Sequence, residues 1–345
     1  MNLTAPKNFW YVAAFAQDVG RQLLARTLLN QPLVLFRTNE GKAVALEDRC
    51  PHRAVPLSLG MLIDDTIRCT YHGMQINPDG SCARIPCQDR IPAKARAATF
   101  PVVERYNLIW IWMGDPRRAD PDAVPDFHWL VDPDWTVCTG YHHVNANYQL
   151  LNDNLLDLSH ESYVHDDTIG NDAVAEAPVT ATVKNGKVLV SREILNCEPP
   201  PFYVKATGFT SNINRWHTTI FQPPSFNVIE NGSYPHDGSR DQALERRILN
   251  LITPETDTSS HYFWGIARAY QHDDEALTAY IQEQIYYTFD QDKVVLEAQQ
   301  RNLADSPFPV ALRTDAGPIQ ARKLIDELVM NEQEPTQSEQ ALDVS

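Results

Sequence analysis

The first third of the chain consists of short apolar runs separated by turn residues. The clearest runs are WYVAAF (10–15), PLVLFR (32–37), AVALED (43–48) and NLIWIWMG (107–114). Each is short, rich in β-branched or aromatic residues, and bounded by Gly, Pro, Asn or Asp, as strands are. MQIN also runs into a Pro-Asp-Gly turn at 78–80. The pattern predicts a small all-β domain.

The second half mixes helical and strand periods. Apolar residues recur at helical spacing at Tyr148, Leu151, Leu155 and Leu158. An Asn185-Gly186 turn predicts a hairpin over residues 179–192. The remaining predicted elements are strands at WHTTIFQ (216–222), RRILNLIT (246–253) and SHYFWGIAR (260–268), a long helix over about 274–302, and a shorter helix that opens after Asp315-Ala316-Gly317-Pro318 and runs through ARKLIDELVM (321–330).

Between Gly114 and Asp134 several prolines and acids interrupt any regular element, which is typical of a linker. We therefore predict a β domain over residues 1–118 and a mixed domain over residues 119–345, which together make an α+β protein. The final residues, 331–345, are polar and acidic and predict a frayed tail.

Composition narrows the possible partners and location. The chain has 345 residues, of which 43% are hydrophobic, enough for two cored domains. Its formal charge of -16 argues against nucleic acid or anionic lipid and favours a small molecule or a basic protein. No apolar run approaches the length of a membrane span, and the N-terminus lacks a signal-peptide pattern, so we expect a cytoplasmic protein.

The β domain contains Cys50-Pro51-His52, sixteen further residues, and then Cys69-Thr70-Tyr71-His72. Structural zinc sites usually pair two cysteines on one loop and two histidines on a helix. Here each loop offers one thiolate and one imidazole, which favours a Rieske [2Fe-2S] cluster with two cysteines on one iron and two histidines on the other. A zinc site and two chance turns are the alternatives.

The other cysteines do not extend this site. High-potential Rieske proteins add a disulfide at positions that Val55 and Tyr71 occupy here, which favours the oxygenase type of domain. The remaining four show no ligand spacing and are expected to be buried or idle thiols: Cys82, Cys87, Cys138 and Cys197.

A second candidate metal site lies in DLSHESYVH (157–165). Zinc proteases use H-E-x-x-H, which places both histidines on one helical face. His160 and His165 are five apart, so on a regular helix they would point about 140° away from each other. Both can bind one metal only if the helix ends or opens between them. Two imidazoles and one carboxylate would form the facial triad of non-haem Fe(II).

The long late helix offers two candidate carboxylates, Asp290 and Asp292. Asp292 falls in register with the apolar positions Ile281, Ile285, Phe289 and Val295. A carboxylate on an inward face is costly unless it is paired or bound to metal. We therefore predict Asp292 as the third ligand, with a solvated acid at the helix edge as the alternative. Upstream, Asn154, Asp157 and His160 are three apart and are predicted to share a helix face, where Asp157 could bond a ligand histidine or lie in solvent.

Together these motifs resemble the oxygenase component of Rieske non-haem iron oxygenases. NFWYVAAF, PVVERYNLIWIWMGDP, NYQLLNDNLLDLSHESYVH, LITPETDTSSHYFWGIAR and DAGPIQARKLIDELV are similar to the subgroup of vanillate O-demethylase, dicamba demethylase and toluenesulfonate methyl-monooxygenase. The resemblance covers about residues 8–330. It implies an N-terminal Rieske domain, a C-terminal helix-grip catalytic domain and a homotrimer.

The resemblance also implies roles for single residues. The cluster ligands would be Cys50, His52, Cys69 and His72, and the iron ligands His160, His165 and Asp292. Asp157 matches the acid that links His160 to His72 of a neighbouring subunit, and Asn154 matches a polar residue beside the iron. Asn250 stands where dicamba demethylase has histidine, and Asn227 is near another position of the substrate pocket.

The resulting hypothesis is a two-component monooxygenase that hydroxylates the methyl group of a methoxylated aromatic acid, of vanillate type, with O2 and releases formaldehyde. The sequence carries no flavin or nicotinamide fingerprint and no plant-type ferredoxin motif, so NAD(P)H electrons must come from a separate reductase. The resemblance suggests an FMN and ferredoxin-type reductase.

Three alternatives stay open at this point. The same chemistry could hydroxylate an aryl methyl group or cis-dihydroxylate an aromatic acid, of toluenesulfonate or phthalate type. The chain could instead be an electron-transfer protein whose second half is structural. It could also be a zinc hydrolase.

Overall fold

The computed structural model describes residues 3–303 and 309–333, so most of the predicted polar tail lies outside the described residues. The chain divides into two compact units, Pro6–Phe127 and a second unit of His128–Ser345 with Met1–Ala5. The division falls inside the predicted linker, a few residues after residue 118. Within the described residues, no helix is both long and apolar enough to cross a membrane.

The first unit is built from strands, as predicted. Its strands form three antiparallel sheets with the orders β1-β11-β10, β2-β3-β4-β9 and β5-β6-β7-β8. Their bounds are β1 Trp10–Phe15, β2 Leu24–Leu28, β3 Gln31–Arg37, β4 Ala43–Glu47, β5 Met61–Ile63, β6 Thr66–Arg68, β7 Gln75–Ile76, β8 Cys82–Arg84, β9 Thr99–Phe100, β10 Val102–Arg105 and β11 Leu108–Trp112.

The strand β11 shows why this unit folds as it does. All five of its residues, LIWIW, are buried. A strand that is apolar on both faces must be covered on both faces. On one face Ile109 and Ile111 join a core cluster that includes Leu33 and Leu35 of β3, and on the other Trp110 stacks on Phe127. The unit therefore supplies a rigid β framework from which loops project.

In its described residues, the second unit combines a seven-stranded antiparallel sheet with six α-helices. The strand order is β12-β18-β17-β16-β15-β14-β13. The strands are β12 Thr136–Val144, β13 Thr180–Lys184, β14 Lys187–Cys197, β15 Ile213–Gln222, β16 Phe226–Pro235, β17 Leu244–Thr256 and β18 Ser259–Arg268. The helices are α1 Tyr148–Leu156, α2 Glu161–Val164, α3 Asp172–Glu176, α4 Pro201–Thr207, α5 Glu275–Asn302 and α6 Ala316–Gln333.

This architecture confirms the α+β prediction, and the hairpin at Asn185-Gly186 joins β13 to β14. The long helix also forms where predicted, with Asp274 capping the amide of Leu277. One position of its predicted inward face is wrong. Val295 is 45% exposed, and the buried stripe continues through Leu296 instead, because a helix of 3.6 residues per turn carries the stripe seven residues on from Phe289.

Candidate active site and metal centres

Two loops of the first unit carry the C-x-H and C-x2-H motifs. One follows β4 and contains Cys50; the other follows β6 and contains Cys69. Each loop closes on its cysteine: the amide of Ala54 donates to the carbonyl of Cys50, and the amide of Gly73 donates to the carbonyl of Cys69. Ala54 and Gly73 both adopt positive φ angles, of 57° and 72°. Gly73 is therefore a turn residue, in a conformation that glycine favours.

The two loops divide the four side chains by burial. The thiols of Cys50 and Cys69 are buried and in contact, and burial together with the Cys69 thiol raises the pKa of Cys50. The rings of His52 and His72 are exposed, with centroids 4.5 Å apart. Two adjoining thiolates repel unless a cation is bound to them, so the donor set fits a cluster with its sulfur side inside and its imidazole side at the surface.

The remaining four cysteines are free thiols. Cys138 and Cys197 are buried, Cys82 is half-buried and Cys87 is exposed. Burial raises the pKa of Cys138 to about 12, so that thiol stays protonated.

In the second unit, three of the predicted ligands come together. Nε2 of His160 and Nε2 of His165 lie 3.5 and 3.2 Å from Oδ1 of Asp292. The ligand atoms of all three residues lie within 4.8 Å of one another. Asp292 is only 6% exposed, and Asp290, the other candidate, is 64% exposed and faces His142.

The local backbone explains how histidines five residues apart can converge. Helix α1 ends at Leu156, a 3-10 turn covers Leu158–His160, and α2 makes a single turn that ends at Val164. His165 lies just beyond that end, with its amide bonded to the carbonyl of Glu161. The helix therefore ends between the histidines, as the spacing requires. The predicted continuous helix face of Asn154, Asp157 and His160 is wrong, because Asp157 is extended (φ -100°, ψ 91°).

Hydrogen bonds orient both imidazoles with Nε2 toward Asp292. Nδ1 of His160 contacts the carbonyl of Asp157, and Nδ1 of His165 lies 2.9 Å from Oε1 of Gln291. The amide nitrogen of Gln291 donates to Asp167, which fixes its oxygen toward His165. A carbonyl partner holds the proton at Nδ1 and leaves the Nε2 lone pair free, the arrangement found in metal-binding histidines.

The same contacts show that the site attracts a cation. Burial opposes a charge on His165, but the hydrogen bond and the charge of Asp292 outweigh burial and raise the pKa of His165. Two inward lone pairs and a buried carboxylate fit a divalent metal held by two nitrogens and one oxygen. The residues present therefore fit a mononuclear iron.

Asn154 and Asp157 each contact one of the three ligand residues. Nδ2 of Asn154 donates to Oδ1 of Asp292 at 3.0 Å. Asp157 contacts His160 through its backbone carbonyl, while its carboxylate caps the turn by accepting from the amide and hydroxyl of Ser159. Asn154 therefore orients the carboxylate of Asp292, and the Asp157 backbone orients the His160 ring.

A buried charge cluster beside the histidines was missed in the sequence. Oε2 of Glu161 lies 2.5 Å from Arg192 and 3.7 Å from Arg215, and Oε1 lies 2.9 Å from Nδ1 of His217. Burial opposes its charge, but Arg192 and His217 hold the pKa of Glu161 well below its usual range. Because Arg192 also donates to the carbonyl of Leu158, the cluster ties the histidine segment to strands β14 and β15. Charged residues at inward positions of apolar strands were the available signal.

A cavity opens onto the three ligand residues. About 720 Å³ of space free of protein atoms lies in it, a figure that includes open solvent at its mouth. Its walls are largely apolar and include Leu155, Ile229, Ile248, Ile285 and Phe289. The sheet also contributes polar wall residues, which are Arg215, His217, Asn231 and Arg246.

Asn227 and Asn250 lie one step along the sheet from that wall. They are cross-strand partners, and the next inward pair is Ile229 with Ile248, which lines the cavity. Neither asparagine is among the described residues that line it. Asn227 donates to Asn152, and Asn250 accepts from the hydroxyl of Tyr262. Their contact with substrate stays a prediction.

Comparison with known families decides the relationship. Residues 9–101 match the Rieske [2Fe-2S] domain, and residues 144–331, more than half of the chain, match the vanillate O-demethylase oxygenase C-terminal domain. The chain belongs to the vanillate O-demethylase family of Rieske oxygenases. The resemblance seen in the sequence is thus confirmed.

Individual relatives are similar to this chain over nearly their whole length. A Comamonas testosteroni protein, provisionally named a toluene-4-sulfonate monooxygenase iron-sulfur subunit, is 44% identical and covers 94% of this chain and 97% of its own. The vanillate O-demethylase oxygenase subunit of a Pseudomonas strain is 38% identical, covering 95% and 96%. The structure of dicamba monooxygenase bound to 3,6-dichlorosalicylic acid has a TM-score of 0.90, 33% identity, and coverage of 96% and 100%.

Family membership establishes the class of enzyme and its cofactors. The chain is a Rieske non-haem iron monooxygenase, with a [2Fe-2S] cluster and a mononuclear iron. A zinc hydrolase and a pure electron carrier are thereby excluded. The relatives are named as subunits or components of larger systems.

Proposed function

We propose that this protein O-demethylates a methoxylated aromatic acid of vanillate type. The observation that carries the proposal is the cavity that opens onto His160, His165 and Asp292, because it places a largely apolar space directly beside a three-ligand metal site. Relatives named vanillate O-demethylase and dicamba O-demethylase support the same reaction.

The chain's own residues do four things in this reaction. His160, His165 and Asp292 would hold the iron, which supplies O2 activation when bound. Asn154 orients the Asp292 carboxylate, and Gln291 keeps a proton on Nδ1 of His165. The apolar wall excludes water and presents the substrate methyl group to the metal side of the cavity. Substrate specificity depends on the residues that line the cavity and not on the metal ligands alone.

The overall chemistry balances with two electrons from outside the chain. A methyl ether, O2, two electrons and two protons give a hydroxymethyl ether and water, and the hydroxymethyl ether collapses to a phenol and formaldehyde. The electrons come from NAD(P)H through a separate FMN and ferredoxin-type reductase. The -16 charge of the chain suits a reductase with a basic docking face.

We further propose that Cys50, His52, Cys69 and His72 hold the cluster and that the protein works as a cytoplasmic homotrimer. In that assembly Asp157 would connect His160 with His72 of a neighbouring subunit. The exposed ring of His72 supports this route, as does the position of Asp157 next to His160, which its backbone carbonyl contacts. An Asp157→Asn variant should keep both metals and lose most turnover. Undiminished turnover would remove Asp157 from the route.

The substrate is tested with purified protein, a reconstituted ferredoxin-type reductase and a panel of methoxybenzoates, methylbenzoates, toluenesulfonate and phthalate. We expect formaldehyde and a phenol in equal amounts from a methoxybenzoate, dependent on O2 and on the reductase. A benzylic alcohol from a methylarene, with no formaldehyde from any ether, would favour aryl-methyl hydroxylation instead. A dihydrodiol would favour cis-dihydroxylation.

A further inference from the structure

The sheet side of the cavity carries a cation that the demethylation chemistry does not use. Arg246 on β17 pairs across the sheet with Asn231 on β16, which pairs with His217 on β15. All three line the cavity. The metal ligands come from the helical segments instead, so helices and sheet supply chemically different parts of one wall.

Arg246 is almost completely buried, with 1% of its surface exposed. Its Nε donates to Oδ1 of Asn231 at 3.2 Å. Its Nη1 and Nη2 atoms are buried and have no hydrogen-bond partner among the described residues. The guanidinium lies over the rings of Phe202 and Tyr203, at 4.9 and 4.7 Å, which hold it in place without neutralising it.

The carboxylate of Glu161, on the same cavity wall, is paired with other residues. Glu161 faces Arg192, Arg215 and His217, so one negative charge serves two guanidiniums before Arg246 is counted. A buried charge is unfavourable unless it is paired and hydrogen-bonded. The planar fork of a guanidinium, with two nitrogens free, matches an anionic oxygen group that can accept two parallel hydrogen bonds.

We propose that Arg246 binds the anionic group of the substrate, a carboxylate or sulfonate on the aromatic ring. The inference rests on the proposed function and adds to it a specificity-determining residue outside the metal site. The substrate is then an aromatic ring with an anion at Arg246 and its reacting methyl group toward His160 and Asp292. Neutral aryl methyl ethers are poor ligands, because they leave the Arg246 guanidinium unpaired.

The test compares binding of 4-methoxybenzoate and its neutral analogue 4-methoxybenzamide to the metal-loaded enzyme by calorimetry. The variant is Arg246→Met, which keeps side-chain length and removes the charge. The matched control is Arg247→Met, because Arg247 is the next residue on the same strand, is partly exposed and pairs with Glu230 outside the cavity.

We expect the wild type and Arg247→Met to bind the acid about 100-fold more tightly than the amide. Arg246→Met should bind the two alike, by losing acid affinity and keeping amide affinity. Arg246→Lys, which keeps the charge but loses the fork, should fall between them. 4-Toluenesulfonate in the same assay shows which anion is preferred, and either preference supports an anion site.

A structural role for Arg246 predicts different results. If Arg246→Met lost acid and amide affinity equally, or kept full acid affinity, the proposal would be overturned. If that variant did not fold, the wild-type comparison decides: equal affinity for acid and amide would also overturn it. Selective binding of the acid without formaldehyde release would contradict the proposed demethylation but not the anion site. Failure of the proposed function and failure of the Arg246 proposal therefore give different results.

Discussion

The two metal centres are built in opposite ways. The cluster loops after β4 and β6 close on themselves through backbone hydrogen bonds, and their imidazoles are exposed. The mononuclear site gathers residues more than a hundred positions apart and holds them through contacts with other side chains, the half-buried Asn154 and Gln291 and the buried Glu161. The first centre thus depends on local turn geometry, and the second depends on a network of side-chain partners.

The largest expected effect comes from removing a ligand of the buried centre. His160→Ala should reduce formaldehyde production to background and leave the visible absorbance of the cluster unchanged, because the two ligand sets share no residue. Asp290→Asn is the matched control, since Asp290 is exposed on the same helix as Asp292. Retained turnover in His160→Ala would contradict the ligand assignment.

The buried charge cluster should matter next. Glu161→Gln leaves Arg192 and Arg215 buried without a counter-ion, and we expect a loss of about 3 to 5 kcal/mol in the free energy of unfolding. Urea denaturation followed by circular dichroism measures it. Glu176→Gln, on an exposed position of α3, should change the same quantity by less than about 0.5 kcal/mol. Similar values for both variants would show that the cluster does not anchor the histidine segment.

We expect the hydrogen bond between Gln291 and Nδ1 of His165 to affect metal affinity more than folding. Gln291→Leu removes the acceptor at Nδ1 of His165, and we expect iron affinity to fall about 10- to 100-fold. Gln291→Glu keeps an acceptor oxygen at that position and should restore most of the affinity. Competition with an iron chelator reports both variants. Equal affinity in Gln291→Leu and the wild type would show that the contact is incidental.

The smallest effect tests the turn geometry of the cluster loops. Gly73→Ala places a Cβ 3.1 Å from Cγ of Pro86 at a φ of +72°, and should lower stability by about 1 to 2 kcal/mol. Ala54→Gly, at the equivalent turn position of the other loop, relieves a positive φ and should not destabilise. Thermal loss of cluster absorbance measures the pair. The same sign for both substitutions would contradict the turn interpretation.

Sequence patterns predicted best what is local. The C-x-H and C-x2-H loops could be interpreted from spacing, because each loop closes on its own cysteine. Asp292 could be found because a carboxylate on an apolar helix stripe needs a partner. The error at Val295 was one of spacing, because the position in register with Phe289 is Leu296. The helix break before His160 has another cause, since tertiary contacts rather than spacing decide where a helix ends.

Partners that are distant in sequence could not be predicted. Gln291 contacts His165, and Arg192 and Arg215 contact Glu161, only because the fold brings separate strands and helices together. The sequence of β15 did carry a weak signal. Arg215 and His217 are two residues apart, so they lie on the same face of the strand as the apolar residues Ile213 and Phe221. Charged residues at every second position of a buried strand indicate an interior polar site, but they do not identify the residues of other elements that contact them.

Iron quantification on the purified protein and on Asp292→Ala tests the central claim most directly, because it counts the two centres separately. The wild type should hold about three irons per chain, two in the cluster and one at the buried site, and the variant about two with an unchanged cluster spectrum. Two irons in the wild type, or loss of the cluster together with the single iron, would contradict two independent centres on one chain.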